Sequence, residues 1–171
     1  MDSISPPVVL VGVGDTRASA EALRWAAGEA WRRNARLQVV RCWEAEFTAP
    51  YAGQDRRRAD GTQPAAARES LAGLLTQVFG EQPPGWVIPE LRRGVPDRVL
   101  AGLSAEADLL VLGSAGRGGL DDQARPIGPV IRGCLSRAQC PVVVVSTGTK
   151  GPRLRPPSPL SRVPAVASKW D

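Results

Sequence analysis

The sequence predicts a doubly wound α/β domain in which a five-stranded parallel sheet carries helices on both faces. Short apolar runs rich in valine and leucine alternate with segments whose apolar residues recur every three or four positions. The 171 residues, 43% of them hydrophobic, suffice for one domain with a sizeable core. Strands that alternate with helices form a parallel sheet with right-handed crossovers, because such crossovers cover both faces of the sheet.

The first half of the chain contains two strands and two helices. The apolar run at 7–13 is typical of a strand buried on both faces, and residues 16–34 carry the apolar stripe of an amphipathic helix. Residues 37–43 form the second predicted strand. Gly80 marks the end of a second helix, whose apolar face consists of Leu71, Leu74, Leu75, Val78 and Phe79.

The second half continues the alternation. Residues 86–92 have a strand pattern, and Pro89 predicts an edge position because proline cannot donate a ladder hydrogen bond. Pro96 fits the first turn of a helix. The remaining predicted elements are a strand at 108–112, a helix at 128–138 and a strand at 141–145.

Two segments do not fit the alternation. Residues 44–64 contain three consecutive arginines, and the C-terminal segment is rich in proline. We expect both to be irregular. The chain therefore divides into an α/β domain at 1–148 and a basic, disordered tail at 149–171.

The distribution of charge argues against a nucleic-acid partner. The net charge is +5, but residues 146–171 carry five lysines and arginines against one acidic residue. Only one excess positive charge remains on residues 1–145. Because a nucleic-acid site requires a basic patch on the folded domain, we expect no such partner.

Composition also narrows the chemistry that the chain can perform. Histidine is absent, which excludes histidine-activated nucleophiles and histidine metal sites, and we expect no enzymatic activity. Cys42, Cys134 and Cys140 lack CxxC spacing, so buried, reduced thiols are expected. No signal-peptide pattern and no long apolar segment is found, which indicates a cytoplasmic protein without a membrane anchor.

A glycine-rich stretch from Gly113 to Gly133 directly follows the fourth strand. It is not a P-loop, because both lysines of the chain lie in the tail. The turn after the first strand, with Gly12 and Gly14, lacks the third glycine of a dinucleotide site. Two interpretations of the stretch remain open: an anion site at the start of the following helix, or a tight turn.

Four segments resemble the universal stress protein family in their order and spacing. They are VVLVGVGDTRASAEALRWAAGEAWRRNARLQVVRCW at 8–43, RGVPDRVL at 93–100, ADLLVLGSAGRGG at 107–119 and CPVVVV at 140–145. The resemblance covers residues 6–146 and implies a Rossmann-like sheet with strand order 3-2-1-4-5, usually dimeric through the fifth strand. Some members of the family bind ATP through the pattern G-x2-G-x9-G-Ser/Thr, and others do not.

The match to this ATP pattern is incomplete. Gly113 and Gly116 fit the first two glycines, and Arg117 is available to an anion. Gly128 corresponds to the third glycine but comes two residues late, and Pro129 stands where the pattern has a hydroxyl. Proline has neither a hydroxyl nor an N–H to offer a phosphate, and the candidate binding residues at this junction are Gly128, Pro129 and Val130.

The turn after the first strand also departs from the family. ATP-binding relatives have Val-Asp-Gly-Ser there, whereas this chain has Gly14 followed by Asp15, so that the carboxylate is displaced by one position. Val40 fits the apolar position that contacts adenine, and it equally fits the core of the domain.

Three functions are consistent with these observations. The first is a regulatory protein that holds an adenine nucleotide, and the second is a dimeric interaction module whose nucleotide site is degenerate. The third, an ATP-cleaving enzyme, is disfavoured by the absence of a general base, although Asp121 and Asp122 could contact a metal. The altered loop and the displaced carboxylate favour the second function, with ATP binding weak or absent and an unknown protein partner.

Overall fold

The computed structural model describes residues 6–44, 64–114 and 127–147. Its sheet has five parallel strands in the order β3-β2-β1-β4-β5, which confirms the predicted fold class and strand order. Each observed strand lies within about two residues of its predicted bounds. The strands are β1 Val8–Val13, β2 Arg36–Trp43, β3 Val87–Arg93, β4 Leu109–Ser114 and β5 Val142–Ser146.

Four helices connect the strands. They are α1 Arg17–Arg33, α2 Pro64–Phe79, α3 Pro96–Leu103, which continues into a 3₁₀ turn at Ser104–Glu106, and α4 Pro129–Arg137. Helices α1 and α2 cover one face of the sheet, and α3 and α4 cover the other. The irregular segment predicted at 44–64 and the tail at 149–171 fall almost entirely outside the described residues.

The alternation of side chains along β1 divides the core into two layers. Val9 and Val11 are fully buried beneath α1 and α2, whereas Leu10 is fully buried beneath α3 and α4. The same alternation in β2 directs Val39 to the first layer and Val40 to the second. Burial of both faces explains why the strands are almost continuously apolar.

Local sequence determines where the elements begin and end. Thr16 caps α1, because its side chain accepts a hydrogen bond from the backbone N–H of Ser19 at 3.2 Å. Asn34 ends the helix in the left-handed conformation, with φ of 52°. Pro89 lies in β3 at the edge of the sheet, as its missing N–H predicts.

Candidate functional site

The strand order reverses beside β1, where the chain moves from β3 back across the sheet to β4. Gly12 pairs with Val40 of β2 on one side and with Leu112 of β4 on the other. In open parallel sheets the carboxyl ends of the strands at such a reversal form a crevice that binds ligands. The segments after β1 and β4 are therefore the candidate site.

Gly113, near the end of β4, has a packing role in this crevice. A Cβ at this position would lie 2.3 Å from the backbone carbonyl oxygen of Ala18, in the first turn of α1. No side chain fits there, because the obstructing atom belongs to the backbone. Gly113 is therefore required for α1 to pack against β4, whether or not it also contacts a ligand.

The next described element after β4 is α4, whose first residues the sequence assigns to the same site. Gly128 occupies the N-cap without a side-chain hydrogen bond, and Pro129 is the first helical residue. Val130 is partly buried against the core layer beneath α3 and α4. Gly116 and Arg117, which the sequence assigns to the same loop, lie outside the described residues.

Asp15, in the turn after β1, forms its side-chain contacts on the side of β1 that lies away from β4. Its Oδ2 forms an ion pair with Nη2 of Arg41, and its Oδ1 accepts a hydrogen bond from the hydroxyl of Ser70. Arg41 belongs to β2 and Ser70 to α2. Both carboxylate oxygens are thus engaged by elements that lie away from β4.

The charges of this pair are unequally exposed. The side chain of Arg41 is 7% exposed and that of Asp15 is 60% exposed. Partial burial acts to raise the pKa of Asp15, but the hydrogen bonds from Ser70 and Arg41 and the charge of Arg41 outweigh it, so the pKa falls below its ordinary value. Nε of Arg41 is buried and has no hydrogen-bond partner within the described part of the chain.

A cavity of about 510 Å³ opens between α1 and α2 beside this ion pair. Its volume lies in the range of small-molecule pockets. Its lining is mostly polar and comes from the turn after β1 and from both helices, with Leu74 and Ala20 as the large and small apolar members. The lining residues are Gly14, Asp15, Thr16, Arg17, Ala20, Glu21, Arg24, Ser70, Leu74 and Gln77.

The residues that the sequence assigns to one site lie on different elements of the fold. Gly14 and Asp15 line the α1–α2 cavity, while Gly113, Gly128 and Pro129 lie in or beside β4 and α4. Val40 is only 1% exposed and packs in the core layer beneath α3 and α4, so its side chain is covered in this conformation.

Neither the cysteines nor the potential metal ligands provide a second candidate site among the described residues. Burial raises the pKa of the Cys42 and Cys134 thiols to about 11 and also raises that of Cys140. All three thiols are free. Among the residues that the structure describes, no group of three His, Cys, Asp or Glu side chains could hold a metal ion, and no helix is long and apolar enough to cross a membrane.

The sheet belongs to the doubly wound α/β class, in which ligands commonly bind at a strand-order reversal. Within this class, the Universal stress protein family model matches residues 7–146. The universal stress protein Rv2623 of Mycobacterium tuberculosis is 33% identical over 148 residues, covering 84% of this chain and 48% of the relative. The Mb2028c protein of Mycobacterium bovis is 33% identical over 136 residues, covering 80% and 44%. The chain belongs to the universal stress protein family, and it spans about half the length of these curated relatives.

Solved structures of the family share the fold. The universal stress protein UspA from Lactobacillus plantarum superposes with a TM-score of 0.58 at 22% identity, covering 84% of this chain and 99% of that one. A universal stress protein solved in complex with cAMP gives 0.56 at 21% identity, covering 82% and 97%. One from Archaeoglobus fulgidus in complex with dAMP gives 0.53 at 20% identity, covering 83% and 98%. At these identities the likeness concerns the fold.

Two residues that contact Asp15, Arg41 and Ser70, are not predicted from the sequence. A signal for Arg41 was present, because positions 37, 39 and 41 have the same parity and the first two are apolar core positions. An arginine on the buried face of a strand requires an acidic partner. Nothing comparable distinguishes Ser70, which lies 55 residues from Asp15.

Proposed function

We propose that this chain is a non-enzymatic regulator of the universal stress type, whose adenine-nucleotide site is degenerate and whose main activity is interaction as a cytoplasmic homodimer. The family relationship supports a regulatory function, and the complexes of two structural relatives with cAMP and dAMP support an adenine nucleotide as the ligand class.

The observation that carries the proposal is the start of α4. Gly128 has no side chain with which to cap the helix, and Pro129 in the first helical position has no N–H. A phosphate at this terminus therefore lacks both a hydroxyl and one of the amides that make helix N-termini anion sites. A hydrogen bond to a charged group contributes about 1.5–3 kcal/mol, so each one lost weakens binding by roughly one to two decades.

The absence of histidine and the elevated thiol pKa values support a non-enzymatic role. Catalysis by a thiolate requires a lowered pKa, whereas burial raises the pKa of Cys42 and Cys134 to about 11. An active site elsewhere would need a general base, and Asp15 is occupied by Arg41 and Ser70. We therefore assign no catalytic residues.

The edge strand β5 supports the homodimer. Within the part of the chain that the structure describes it pairs with β4 alone, which supports pairing of its other edge with a second copy. Val144 on this strand is 40% exposed, and Leu135 on α4 is 51% exposed. Apolar residues beside an open strand edge favour pairing between chains.

A functional ATP- or AMP-binding protein is the alternative, and nucleotide titration separates the two. We expect no nucleotide in the supernatant of the denatured purified protein by mass spectrometry, and ATP affinity by calorimetry no tighter than high micromolar.

Pro129→Ser restores a hydroxyl and an N–H at once and should strengthen ATP binding by about tenfold or more. Pro96→Ser is the matched control, because Pro96 holds the same position in α3. Low-micromolar binding by the unmodified chain would establish the alternative.

A further inference from the structure

We propose that the cavity between α1 and α2 binds a small anionic polyol of the sugar-phosphate class. The cavity has a volume of about 510 Å³, within the range of small-molecule pockets, and its described lining residues come from the turn after β1, from α1 and from α2. The inference goes beyond the proposed function, because it involves neither the glycine-rich stretch nor β4 and α4.

The cavity is a groove about two helical turns long. Both helices follow a strand of the parallel sheet, so they run in the same direction. Ser70 donates a hydrogen bond to Asp15, which places it level with the start of α1. Arg24 and Gln77, which also line the groove, lie two turns further along their helices. At 1.5 Å per residue this gives a length of about 10 Å, which suits a pentose phosphate.

The charges of the groove leave one cation without a counter-ion. Asp15 pairs with Arg41 and Glu21 with Arg24, whereas Arg17 forms no ion pair within the described part of the chain. Arg17 is the first residue of α1, whose first turn contains no acidic residue. Because a guanidinium and a helix N-terminus both favour an anion, this end of the groove suits a phosphate.

A second guanidinium lies behind the same end. Arg41 has a side chain only 7% exposed, and its Nη1 would lie 3.3 Å from a Cβ at Gly14, which lines the groove. Nε of Arg41 is buried without a hydrogen-bond partner among the described residues. The positive charge beneath Gly14 is therefore only partly satisfied, which adds to the attraction of this end for an anion.

The rest of the groove presents groups that bind hydroxyls. The side chains of Asp15 and Glu21 are 60% and 44% exposed, and their oxygens have further lone pairs to accept hydrogen bonds from a polyol. Ser70 and Gln77 add a hydroxyl and an amide. The pair of Glu21 with Arg24 is exposed on both sides, so it is weak and can open towards a ligand.

Ribose 5-phosphate is the probe, and ribose and inorganic phosphate separate the two parts of the proposed site. In calorimetry we expect ribose 5-phosphate to bind at least about tenfold more tightly than either fragment, because only the whole molecule reaches both ends of the groove. If inorganic phosphate binds as tightly as ribose 5-phosphate, the groove does not recognise a polyol and the proposal is wrong.

Arg17→Gln should weaken the binding of ribose 5-phosphate about ten- to a hundredfold, the range expected for one charged hydrogen bond. Arg98→Gln is the matched control, because Arg98 lies in the first turn of α3 and is exposed like Arg17. Gln77→Ala should weaken the binding of ribose 5-phosphate and leave that of inorganic phosphate unchanged. Equal losses in Arg17→Gln and Arg98→Gln would reveal a general attraction to positive charge and overturn the proposal.

The position of the ligand can be read from backbone amide resonances. Ribose 5-phosphate should shift resonances within residues 14–24 and 70–77, which include the lining of the groove, and leave those of Gly113 and Val130 unchanged. Shifts at Gly113 and Val130 without shifts in the two helical ranges would place the ligand outside the groove, contrary to the proposal.

Discussion

Gly113 and Gly28 are both glycines in regular elements, but their surroundings differ. A Cβ at Gly113 would meet the carbonyl oxygen of Ala18 at 2.3 Å, whereas a Cβ at Gly28 within α1 would have nothing within 4 Å. We expect Gly113→Ala to lower the free energy of unfolding by about 1–3 kcal/mol or more, because backbone must move. Gly28→Ala should raise it by about 0.5–1 kcal/mol, because alanine loses less entropy in a helix. Chemical denaturation of both variants measures the difference, and equal effects would show that α1 does not pack on β4 in this way.

Asp15 makes a pH-dependent contribution to stability. Its pKa is lowered in the folded state, so the contribution is fully present above the unfolded pKa of about 3.9 and is lost as pH falls through the folded value. At pH 7 we expect Asp15→Asn to destabilise the protein by roughly 1–3 kcal/mol, since it leaves Arg41 without its charged partner. The difference should shrink below pH 4. Urea denaturation of both proteins between pH 7 and 3 tests this, and a difference that does not change with pH would exclude the ion pair as its source.

In the homodimer that we propose, the two copies meet along strand β5. Val143 and Val145 pack towards the core beneath α1, whereas Val144 is exposed on the edge strand. Val144→Lys therefore alters the edge without entering the core, and should convert a dimer to a monomer in sedimentation because charged edges resist pairing. Val95→Lys is the control, as Val95 is 46% exposed before α3. If Val144→Lys stays dimeric, the contact lies elsewhere.

The elements themselves could be predicted because their signals are local. The five apolar runs are each found as strands, and Pro89 correctly indicates an edge. Thr16 and Asn34 cap the two ends of α1 through contacts with residues only a few positions away. The start of α2 could not be placed, because the residues before Pro64 show no periodic pattern.

For the molecule as a whole, the contacts of the candidate site could be predicted from the sequence less well than the fold. The crevice follows from the strand order, but the direction of Asp15 depends on Arg41 and Ser70, which lie 26 and 55 residues away. The glycine pattern likewise predicts that Gly113 belongs to a loop that binds phosphate, whereas its contact with Ala18 depends on how α1 packs on the sheet. Contacts between elements distant in sequence decide both, and a single sequence does not reveal them.

Residues 150–171 should matter much less for folding than strand β5, which precedes them. Residues 150–171 include five prolines and five large apolar residues, Leu154, Leu160, Val163, Val166 and Trp170. Their burial would contribute about 8–15 kcal/mol at most, whereas ordering 22 residues costs roughly 22–44 kcal/mol. A chain that ends at Thr149 should therefore melt within a few degrees of the full chain by circular dichroism. A chain that ends at Gln139 should fail to fold, because it loses β5, which pairs with β4 and contributes to both core layers. A large fall in melting temperature for the chain ending at Thr149 would show that residues 150–171 pack on the domain.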